Sequence, residues 1–269
     1  MTVKLAISGS AGRMGRRLLA LSDNDAGFEL VQAIEWSGFP ELGEPVNQRA
    51  VLASRAKTVS WTDTLAPGAD VLVDFSTPEN AMQNARRAVE LGVRLVIGTT
   101  GLQKTQTDAL KDAAKSVPVM FAPNYSLGVN LMFRLAAEAA RVLGGECDIE
   151  IVEAHHNRKV DAPSGTALGI AGVVAGELGR ELDRDMVHGR AGQVGKRRTK
   201  EIGMHALRMG SVTGKHTIYF CSEHECIEIT HTAESRDVFA AGALRAAKWI
   251  MSQAPGLYDM RDMLFGTKR

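Results

Sequence analysis

The chain begins with short apolar runs that alternate with amphipathic stretches. Val3–Ser8 is an apolar run typical of a buried strand, residues 16–21 continue as a helix, and residues 29–34 form a second apolar run. Three further runs, each followed by polar residues and a helical stretch, are 70–75, 93–97 and 118–121. Strands that alternate with helices predict a parallel sheet with helices on its faces.

The helices of this half carry recognisable start signals. Residues 76–79 supply a capping hydroxyl, a helix-starting proline and a capping-box glutamate, so a helix is predicted from there to Gly92. Residues 102–115 predict the next helix. Several of the strands end in small polar loops, and the ligands of open α/β sheets bind at the carboxyl ends of the strands.

In the second half the pattern changes. Residues 131–143 predict a helix, 147–152 an alternating strand, and 167–178 a helix of small residues. Three β-rich runs joined by short turns favour an antiparallel meander, and they are 205–212, 216–222 and 226–231. A last amphipathic helix is predicted over 238–251. We therefore predict a second, α+β domain, with a hinge near 126–130.

The first predicted strand leads directly into the sequence GSAGRMG. Its Gly9, Gly12 and Gly15 stand between a strand and a helix, which is the context of a dinucleotide-binding loop. Glycines there allow a tight turn, close approach of a pyrophosphate and close packing of the helix. Glu35 follows the second apolar run, about 20 residues after the loop, where an acid accepts hydrogen bonds from the adenosine ribose. The pattern predicts a nicotinamide-type dinucleotide as cofactor.

The sequence EAHHNRKVDAPSGTA concentrates groups suited to acid–base chemistry and anion binding. It joins a predicted strand to a predicted helix and contains His155, His156 and Lys159. Residues 163–166 have the composition of a turn before a helix N-terminus, whose free backbone N–H groups bind anions. If the strand geometry continues, the two histidines point to opposite faces, so one acid–base residue and one binding residue are predicted. An exposed polar connection is the alternative interpretation.

A basic loop, residues 183–203, separates the helix of small residues from the β-rich runs. A mobile, solvated surface is the first interpretation of this loop, and an anion-attracting flap is the alternative. Its cationic or titratable side chains are Arg184, His188, Arg190, Lys196, Arg197, Arg198 and Lys200.

The composition excludes several classes of partner. The 32 Lys plus Arg residues nearly balance the 31 Asp plus Glu residues, so there is no electrostatic case for nucleic acid or membrane as the main partner.

A chain of 269 residues favours two domains. The sequence shows neither a signal-peptide pattern nor an apolar run of membrane-spanning length. Its three cysteines are Cys147, Cys221 and Cys226. Their spacing fits no zinc-binding pattern, and their small, odd number favours a reducing cytoplasm as the location.

The sequence resembles 4-hydroxy-tetrahydrodipicolinate reductase, also called dihydrodipicolinate reductase, a family of diaminopimelate and lysine biosynthesis. The shared motifs run nearly end to end and are GSAGRMG, DFSTPE, VIGTTG, APNYSLGVN, EAHHNRKVDAPSGTA, GKHTIYF, IEITHTAESRDVFAAGALRAA and GLYDMRDML. The resemblance implies an α/β fold with an N-terminal Rossmann dinucleotide-binding domain, residues 1–127, to which 238–269 return. It also implies an α+β domain with a mixed sheet, residues 128–237, that binds the substrate and builds a homotetramer.

The resemblance further implies roles for individual residues and a reaction that uses no metal. The catalytic residues would be His155 and, as proton donor, Lys159; the substrate-binding residues would be His156, Gly165 and Thr166. The cofactor-binding residues would be Gly9, Ser10, Ala11, Gly12, Arg13, Met14, Glu35, Gly98, Thr99, Thr100, Ala122, Pro123, Asn124 and Tyr125. The implied substrate is a small cyclic dicarboxylate, which loses a hydroxyl, receives a hydride from NADH or NADPH at ring C4, and takes up a proton at the adjacent carbon.

One position departs from the pattern of family members that accept NADPH. They often carry a basic residue directly after the ribose-binding acid, and here that position is Trp36. An indole offers no charge to a 2′-phosphate. Arg13 is the alternative cation, so NADPH is disfavoured but not excluded.

Three other functions fit parts of the sequence. A semialdehyde dehydrogenase would need a placed cysteine nucleophile, and none of the cysteines lies in a recognisable nucleophile turn. A metallohydrolase would need more than two adjacent histidines, which are poor ligands for one metal on a strand. A nucleotide sensor without enzymatic activity would not need the His155 and Lys159 cluster.

Overall fold

The computed structural model describes residues 2–46 and 59–266. Within them the chain folds into two compact units. The first comprises the described residues up to Leu127 together with those from Arg236 onward, and the second is Gly128–Ser235. Parts of the predicted N-terminal domain, namely Met1, 47–58 and 267–269, lie outside the described residues.

The helices and strands alternate along most of the chain. The strands are β1 (Val3–Ser8), β2 (Phe28–Ile34), β3 (Trp61–Thr62), β4 (Val71–Asp74), β5 (Arg94–Ile97), β6 (Pro118–Phe121), β7 (Asp148–His155), β8 (Met186–His188), β9 (Ile202–Arg208), β10 (Gly214–Cys221), β11 (Cys226–Ala233) and β12 (Gly256–Tyr258). The helices are α1 (Arg13–Asp23), α2 (Pro78–Leu91), α3 (Lys104–Ala113), α4 (Leu127–Leu143), α5 (Gly165–Leu178), α6 (Leu182–Asp185), α7 (Asp237–Trp249) and α8 (Met260–Phe265), with a 3-10 helix at Ile250–Ser252. No helix of the described chain combines the length and apolar character needed to cross a bilayer.

Seven described strands form the sheet of the first unit, and every pairing in it is parallel. Their order is β12-β6-β5-β4-β1-β2-β3. The predicted α/β fold with a parallel N-terminal sheet is therefore confirmed. The strand β12 pairs with β6 at one edge, so the C-terminal part of the chain extends the sheet that the N-terminal part begins.

Helices cover both faces of this sheet. Val71 and Val73 of β4 point into a core that includes α1 and α7, whereas Leu72 points into a core that includes α2 and α3. Because successive side chains of a strand alternate between faces, strands that are covered on both sides appear as continuous apolar runs.

The predicted capping hydroxyl and helix-starting proline of α2 are observed, since the Thr77 side chain accepts a hydrogen bond from the backbone N–H of Asn80 at 3.3 Å and Pro78 begins the helix. The predicted capping-box glutamate is wrong, because Glu79 is the second helical residue and Asn80 occupies the capping-box position.

The second unit contains a mixed five-stranded sheet in the order β11-β10-β7-β9-β8. The strand β10 is antiparallel to both β11 and β7, and β9 is parallel to both β7 and β8. The mixed sheet that the resemblance implies is confirmed, but the predicted meander is wrong because β7 lies between β9 and β10. The helix α5 carries the chain across the sheet from β7 towards β9, which is how parallel neighbours are connected.

The helices α4 and α5 contribute to the core on one face of this sheet. Ile149 and Ile151 of β7 are buried there with Ile170 and Val174 of α5. The alternate side chains of the sheet make up its opposite face, on which Val152, Leu207 and Tyr219 are only partly buried or exposed.

The basic loop is tied to the sheet by ion pairs. Arg190 donates hydrogen bonds to both carboxylate oxygens of Glu150, at 3.0 and 2.8 Å, and also pairs with Glu201. Arg197 pairs with Asp148 at 2.8 Å and with Glu150 at 3.1 Å. Carboxylates thus hold these two arginines against the sheet, whereas residues 191–196 and 198–200 are exposed, as the solvated interpretation predicts.

Two of the three cysteines are paired. Cys221 ends β10, Cys226 begins β11, and the two are opposite each other in the antiparallel ladder and joined by a disulfide. Cys147 is free and buried, and burial raises the pKa of its thiol. The number of cysteines alone did not indicate this pairing.

Candidate active site

Glu153 is the fully buried centre of the polar cluster in the second unit. Its carboxylate accepts two hydrogen bonds from Arg208, each 2.9 Å long, and one from the backbone N–H of Ser164 at 3.1 Å. The Nδ1 atom of His155 lies 2.6 Å from its Oε2 atom. Burial opposes ionisation of Glu153, but the hydrogen bonds from Arg208 and His155 outweigh it and lower its pKa. The sequence marked Glu153 only as the start of a motif.

His155 is the last residue of β7 and is held by its Nδ1 edge. Its ring packs edge to face against the ring of His216, with 5.2 Å between the centroids. A Cβ atom added to Gly214 would lie 3.2 Å from the Nε2 atom of His155. Glycine at that position therefore leaves space beside the nitrogen that does not contact Glu153.

A tight turn after β7 brings Lys159 back towards the cluster. The backbone N–H of Lys159 donates to the carbonyl of His156 at 3.1 Å. The Nζ atom of Lys159 lies 2.8 Å from both carboxylate oxygens of Asp161, and this pair lowers the pKa of Asp161. His156 itself follows the strand and is half-buried. The histidine pair thus spans the end of the strand, where alternation of side chains between faces no longer applies.

The helix α5 begins at Gly165, two residues before the predicted start, with Ser164 as its N-cap. The Oγ atom of Ser164 accepts a hydrogen bond from the backbone N–H of Ala167 at 3.1 Å. Gly165 and Thr166 are the first two residues of the helix, and a Cβ atom at Gly165 would meet no atom within 4 Å. The positive end of the helix is therefore open beside Gly165, which suits an anion.

His216 contacts the N-cap residue of this helix. It is opposite Glu153 in the ladder between β10 and β7, and its Nε2 atom lies 2.9 Å from the Oγ atom of Ser164. Burial and the neighbouring charge of His155 lower the pKa of His216 to about 4. His216 is therefore neutral at neutral pH. The sequence did not single it out, because only the register of the sheet places it beside Glu153.

The glycine loop of the first unit has the geometry that a dinucleotide requires. Gly9 has φ of +71°, and a Cβ atom there would lie 2.5 Å from the carbonyl oxygen of Phe75. A Cβ atom at Gly15 would lie 2.1 Å from the carbonyl oxygen of Gly9, so α1 packs closely on the loop. The N-cap of α1 is Gly12, and no side chain of the described chain caps this helix. Its first backbone N–H groups are suitably placed for a pyrophosphate.

The other predicted residues of this loop differ in exposure. Ser10 is buried, and its hydroxyl oxygen accepts a hydrogen bond from Trp61 Nε1 at 3.0 Å. Ala11 and Met14 are half-buried, and Arg13 is exposed at the start of α1.

Glu35 lies against the glycine loop. Its carboxylate accepts a hydrogen bond from the backbone N–H of Ala11 at 2.6 Å. Burial raises the pKa of Glu35, and the hydrogen bonds from the Ala11 and Trp36 backbone partly oppose this. The predicted ribose acid and the predicted pyrophosphate loop are thus in direct contact.

The loops after β5 and β6 contain the remaining predicted cofactor residues. Gly98 packs under the ring of Phe75, where a Cβ atom would lie 2.2 Å from a ring carbon. Thr99 is buried and donates a hydrogen bond to Asp74 at 2.7 Å, whereas Thr100 is exposed. After β6, Ala122 is buried, Pro123 is exposed, and Asn124 accepts a hydrogen bond from the Ser126 N–H at 2.8 Å.

Tyr125 is the predicted cofactor residue whose side chain has a different place. It is buried, and its hydroxyl donates to the carbonyls of Ile97 at 2.9 Å and Met120 at 3.3 Å. Burial raises the pKa of this hydroxyl well above its usual value. The Tyr125 side chain belongs to the core and connects the ends of β5 and β6.

Asp74 is a further buried acid that sequence reasoning missed. Besides Thr99, it accepts hydrogen bonds from Asn84 at 2.7 Å and from the Ser76 hydroxyl at 2.7 Å. It fixes the loops after β4 and β5 to each other. Among the described residues, no group of three or more His, Cys, Asp or Glu side chains is arranged to hold a metal ion.

Comparison with known proteins covers nearly the whole chain. The family model for the N-terminus of dihydrodipicolinate reductase matches residues 3–125, and the model for its C-terminus matches residues 128–264. The 4-hydroxy-tetrahydrodipicolinate reductases of Magnetococcus marinus and Thiobacillus denitrificans are each 46% identical to this chain, over 98% of it and 99% of their own length. Dipicolinate-bound dihydrodipicolinate reductase from Paenisporosarcina sp. TG-14 has the same fold, with a TM-score of 0.78 at 24% identity, covering 98% of this chain and 100% of its own. The chain belongs to the dihydrodipicolinate reductase family.

Proposed function

We propose that this chain reduces 4-hydroxy-tetrahydrodipicolinate to tetrahydrodipicolinate with NADH or NADPH, in lysine and diaminopimelate biosynthesis. Membership of the family supports this activity. The observation that carries it is the cluster of His155, Lys159 and the open start of α5, which joins an acid–base group to two sources of positive charge. A cytoplasmic location is part of the same proposal.

The substrate is a dicarboxylate, and the second unit offers groups that match it. Lys159 and the backbone N–H groups at Gly165 and Thr166 would bind one carboxylate through charge-assisted hydrogen bonds. His156, in the turn before Lys159, would contribute a further contact. The ammonium of Lys159 would deliver the proton to the carbon beside C4, and His155 would act as the acid–base residue.

The first unit offers groups that match the cofactor. The loop Gly9 to Met14 would bind the pyrophosphate, and Glu35 the adenosine ribose. Gly98 to Thr100, and Ala122 to Asn124 with the backbone of Tyr125, would border the nicotinamide. When bound, the reduced nicotinamide supplies the hydride. The residues of the chain orient the cofactor and exclude water, and they need no metal ion for these tasks.

NADH would be used at least as well as NADPH. The side chain of Trp36 is 55% exposed, and its indole lies against Gly38, where a Cβ atom would be 2.0 Å from the ring. Beside the ribose acid, the chain therefore presents an uncharged aromatic surface rather than a cation for a 2′-phosphate. Arg13, in the glycine loop, is the alternative cation for a 2′-phosphate.

Four chains would assemble into a homotetramer through the second unit. The sheet face that carries Val152, Leu207 and Tyr219 is only partly buried, although it adjoins a well-packed core. Unpaired sheet edges can pair with another chain, and large exposed apolar patches mark interaction sites. A second copy of the same sheet would cover this face.

Steady-state turnover of the purified protein on freshly generated substrate tests the proposed activity. We expect oxidation of NADH or NADPH that depends on the substrate and on enzyme concentration. A protein that binds NADH, as shown by fluorescence titration, but does not turn over the substrate would instead be the nucleotide sensor.

A further inference from the structure

The roles proposed above leave the buried carboxylate of Glu153 without a function. It contacts His155, Arg208 and the N-terminus of α5 at once. Burying a charge is unfavourable, and replacing a buried ion pair by apolar residues is often neutral or stabilising. The position of Glu153 in the fold therefore does not require a carboxylate.

The contact with Glu153 determines which nitrogen of His155 carries the proton. An ionised carboxylate only accepts hydrogen bonds, so at 2.6 Å the Nδ1 atom must be the donor. The Nε2 atom then carries the lone pair of the neutral ring, on the side where Gly214 leaves space. A histidine that receives a proton at Nε2 gains a positive charge, which the adjacent carboxylate stabilises.

Arg208 keeps Glu153 both ionised and oriented. Its two terminal nitrogens each donate to a different oxygen of the carboxylate, and one of them also donates to the carbonyl of Asp161 at 2.7 Å. Asp161 in turn pairs with Lys159. The same ion pair therefore connects the strand end with His155 to the turn with Lys159 and to the start of α5 at Ser164.

We propose that Glu153 is a positioning residue for the reduction: it holds His155 in the Nδ1–H tautomer, with Nε2 directed to the reacting group, and Arg208 is its fixed counter-charge. This inference rests on the proposed acid–base role of His155.

The variant Glu153→Gln tests the carboxylate while it keeps the size of the side chain. An amide can both donate and accept, so it no longer selects one tautomer of His155. We expect kcat to fall about 10- to 100-fold, by analogy with carboxylates that orient metal-bound histidines. The KM for NADH should stay near the wild-type value, because Glu153 lies in the second unit.

Glu150 provides the matched control. It lies on the same strand, accepts hydrogen bonds from Arg190 and Arg197, and also contacts a histidine, His205, at 2.8 Å. It does not contact His155. Glu150→Gln should therefore keep the wild-type kcat, although it removes an ion-paired carboxylate with similar partners.

A double variant separates positioning from general stability. If Glu153 acts through His155, adding Glu153→Gln to His155→Ala should leave kcat unchanged from the single His155→Ala variant. An equal loss of kcat in both backgrounds, or no loss in either, would overturn the inference. If His155→Ala itself keeps the wild-type kcat, the acid–base role in the proposed function fails, and the inference fails with it.

The wild-type protein offers a test that does not depend on any variant folding. In ¹⁵N-histidine spectra at a pH where the ring is neutral, His155 should show a protonated Nδ1 and an unprotonated Nε2, assigned with His155→Ala. The Nε2–H tautomer would contradict the inference even if the reductase activity is established.

Discussion

Replacement of Lys159 by alanine removes the ammonium group that we propose binds a substrate carboxylate and donates the proton. In the free protein its Nζ atom is already paired, with both oxygens of Asp161 at 2.8 Å. The Asp161 side chain is 59% exposed, so this pair is worth at most about 1 kcal/mol. A substrate carboxylate that displaces Asp161 from Lys159 gains less than a full charge-assisted hydrogen bond.

These values give the size of the expected effect. A charge-assisted hydrogen bond contributes about 1.5–3 kcal/mol. After about 1 kcal/mol for the lost Asp161 pair is subtracted, about 0.5–2 kcal/mol remains, which corresponds to roughly a 2- to 30-fold higher KM for the substrate. Loss of the proton donor should lower kcat by roughly 100- to 10,000-fold. Both changes should appear together, because one group serves ground-state binding and proton transfer.

Steady-state kinetics with NADH, supported by a fluorescence titration of NADH binding, would measure both changes. The control is Lys115→Ala, which removes another lysine that pairs with an aspartate, Asp112, at 2.7 Å; Lys115 lies in the exposed turn after α3 in the first unit. The control should behave as wild type. A higher KM with unchanged kcat would refute the role of Lys159 as proton donor, and equally weakened NADH binding would indicate a general structural defect.

Three other predictions concern the cofactor, the stability and the assembly. The wild type should use NADH at least as well as NADPH, and Trp36→Arg should raise kcat/KM for NADPH relative to NADH; a strong NADPH preference of the wild type would contradict the role given to Trp36. Burial lowers the pKa of His216 to about 4 in the folded protein, whereas it is about 6.5 in the unfolded chain. Between these pH values the His216 side chain is therefore protonated only in the unfolded chain. The free energy of unfolding should therefore fall by up to about 3 kcal/mol as the pH drops from about 6.5 to 4, and urea titrations should show a smaller fall for His216→Gln. Sedimentation should show a tetramer, and a stable monomer at micromolar concentration would refute the proposed assembly.

Local sequence patterns predicted the elements that are buried on both faces. The strands β1 and β6 begin and end where the apolar runs do, because the core requires apolar residues throughout. Short elements were missed: β3 has 2 residues and β12 has 3, too few to show a period. The helix α1 begins at Arg13 rather than at residue 16, so the last residues of the glycine motif are already helical.

Strand order could not be obtained from local patterns. The runs that form β9 and β10 are neighbours in sequence, but each pairs with a different edge of β7. The strand β7 is the central strand of its sheet, with Ile149 and Ile151 fully buried, so its backbone groups need partners on both edges. That requirement arises from tertiary packing, so it is absent from the turns that suggested a meander.

The candidate site divides in the same way. The sequence identified His155, Lys159 and the N-cap of α5, because their chemistry and spacing are local. It missed His216 and Arg208, which become partners only through the sheet register: His216 is opposite Glu153 in one ladder, and Arg208 is opposite His155 in another. It also assigned Tyr125 to the cofactor; the side chain is buried in the core, so the backbone of Tyr125 remains the predicted cofactor contact.

The strand β7 shows how one kind of interaction serves two purposes. Glu150 and Glu153 lie on opposite faces of the sheet, and each forms ion pairs with arginine and contacts a histidine. At Glu150 the arginines come from the basic loop, so the ion pairs fix that loop on the sheet. At Glu153 the partners are the proposed acid–base histidine and the start of α5, so the same kind of ion pair fixes the position of His155 beside the helix N-terminus. The alternation of side chains along a single strand is what keeps the two networks separate.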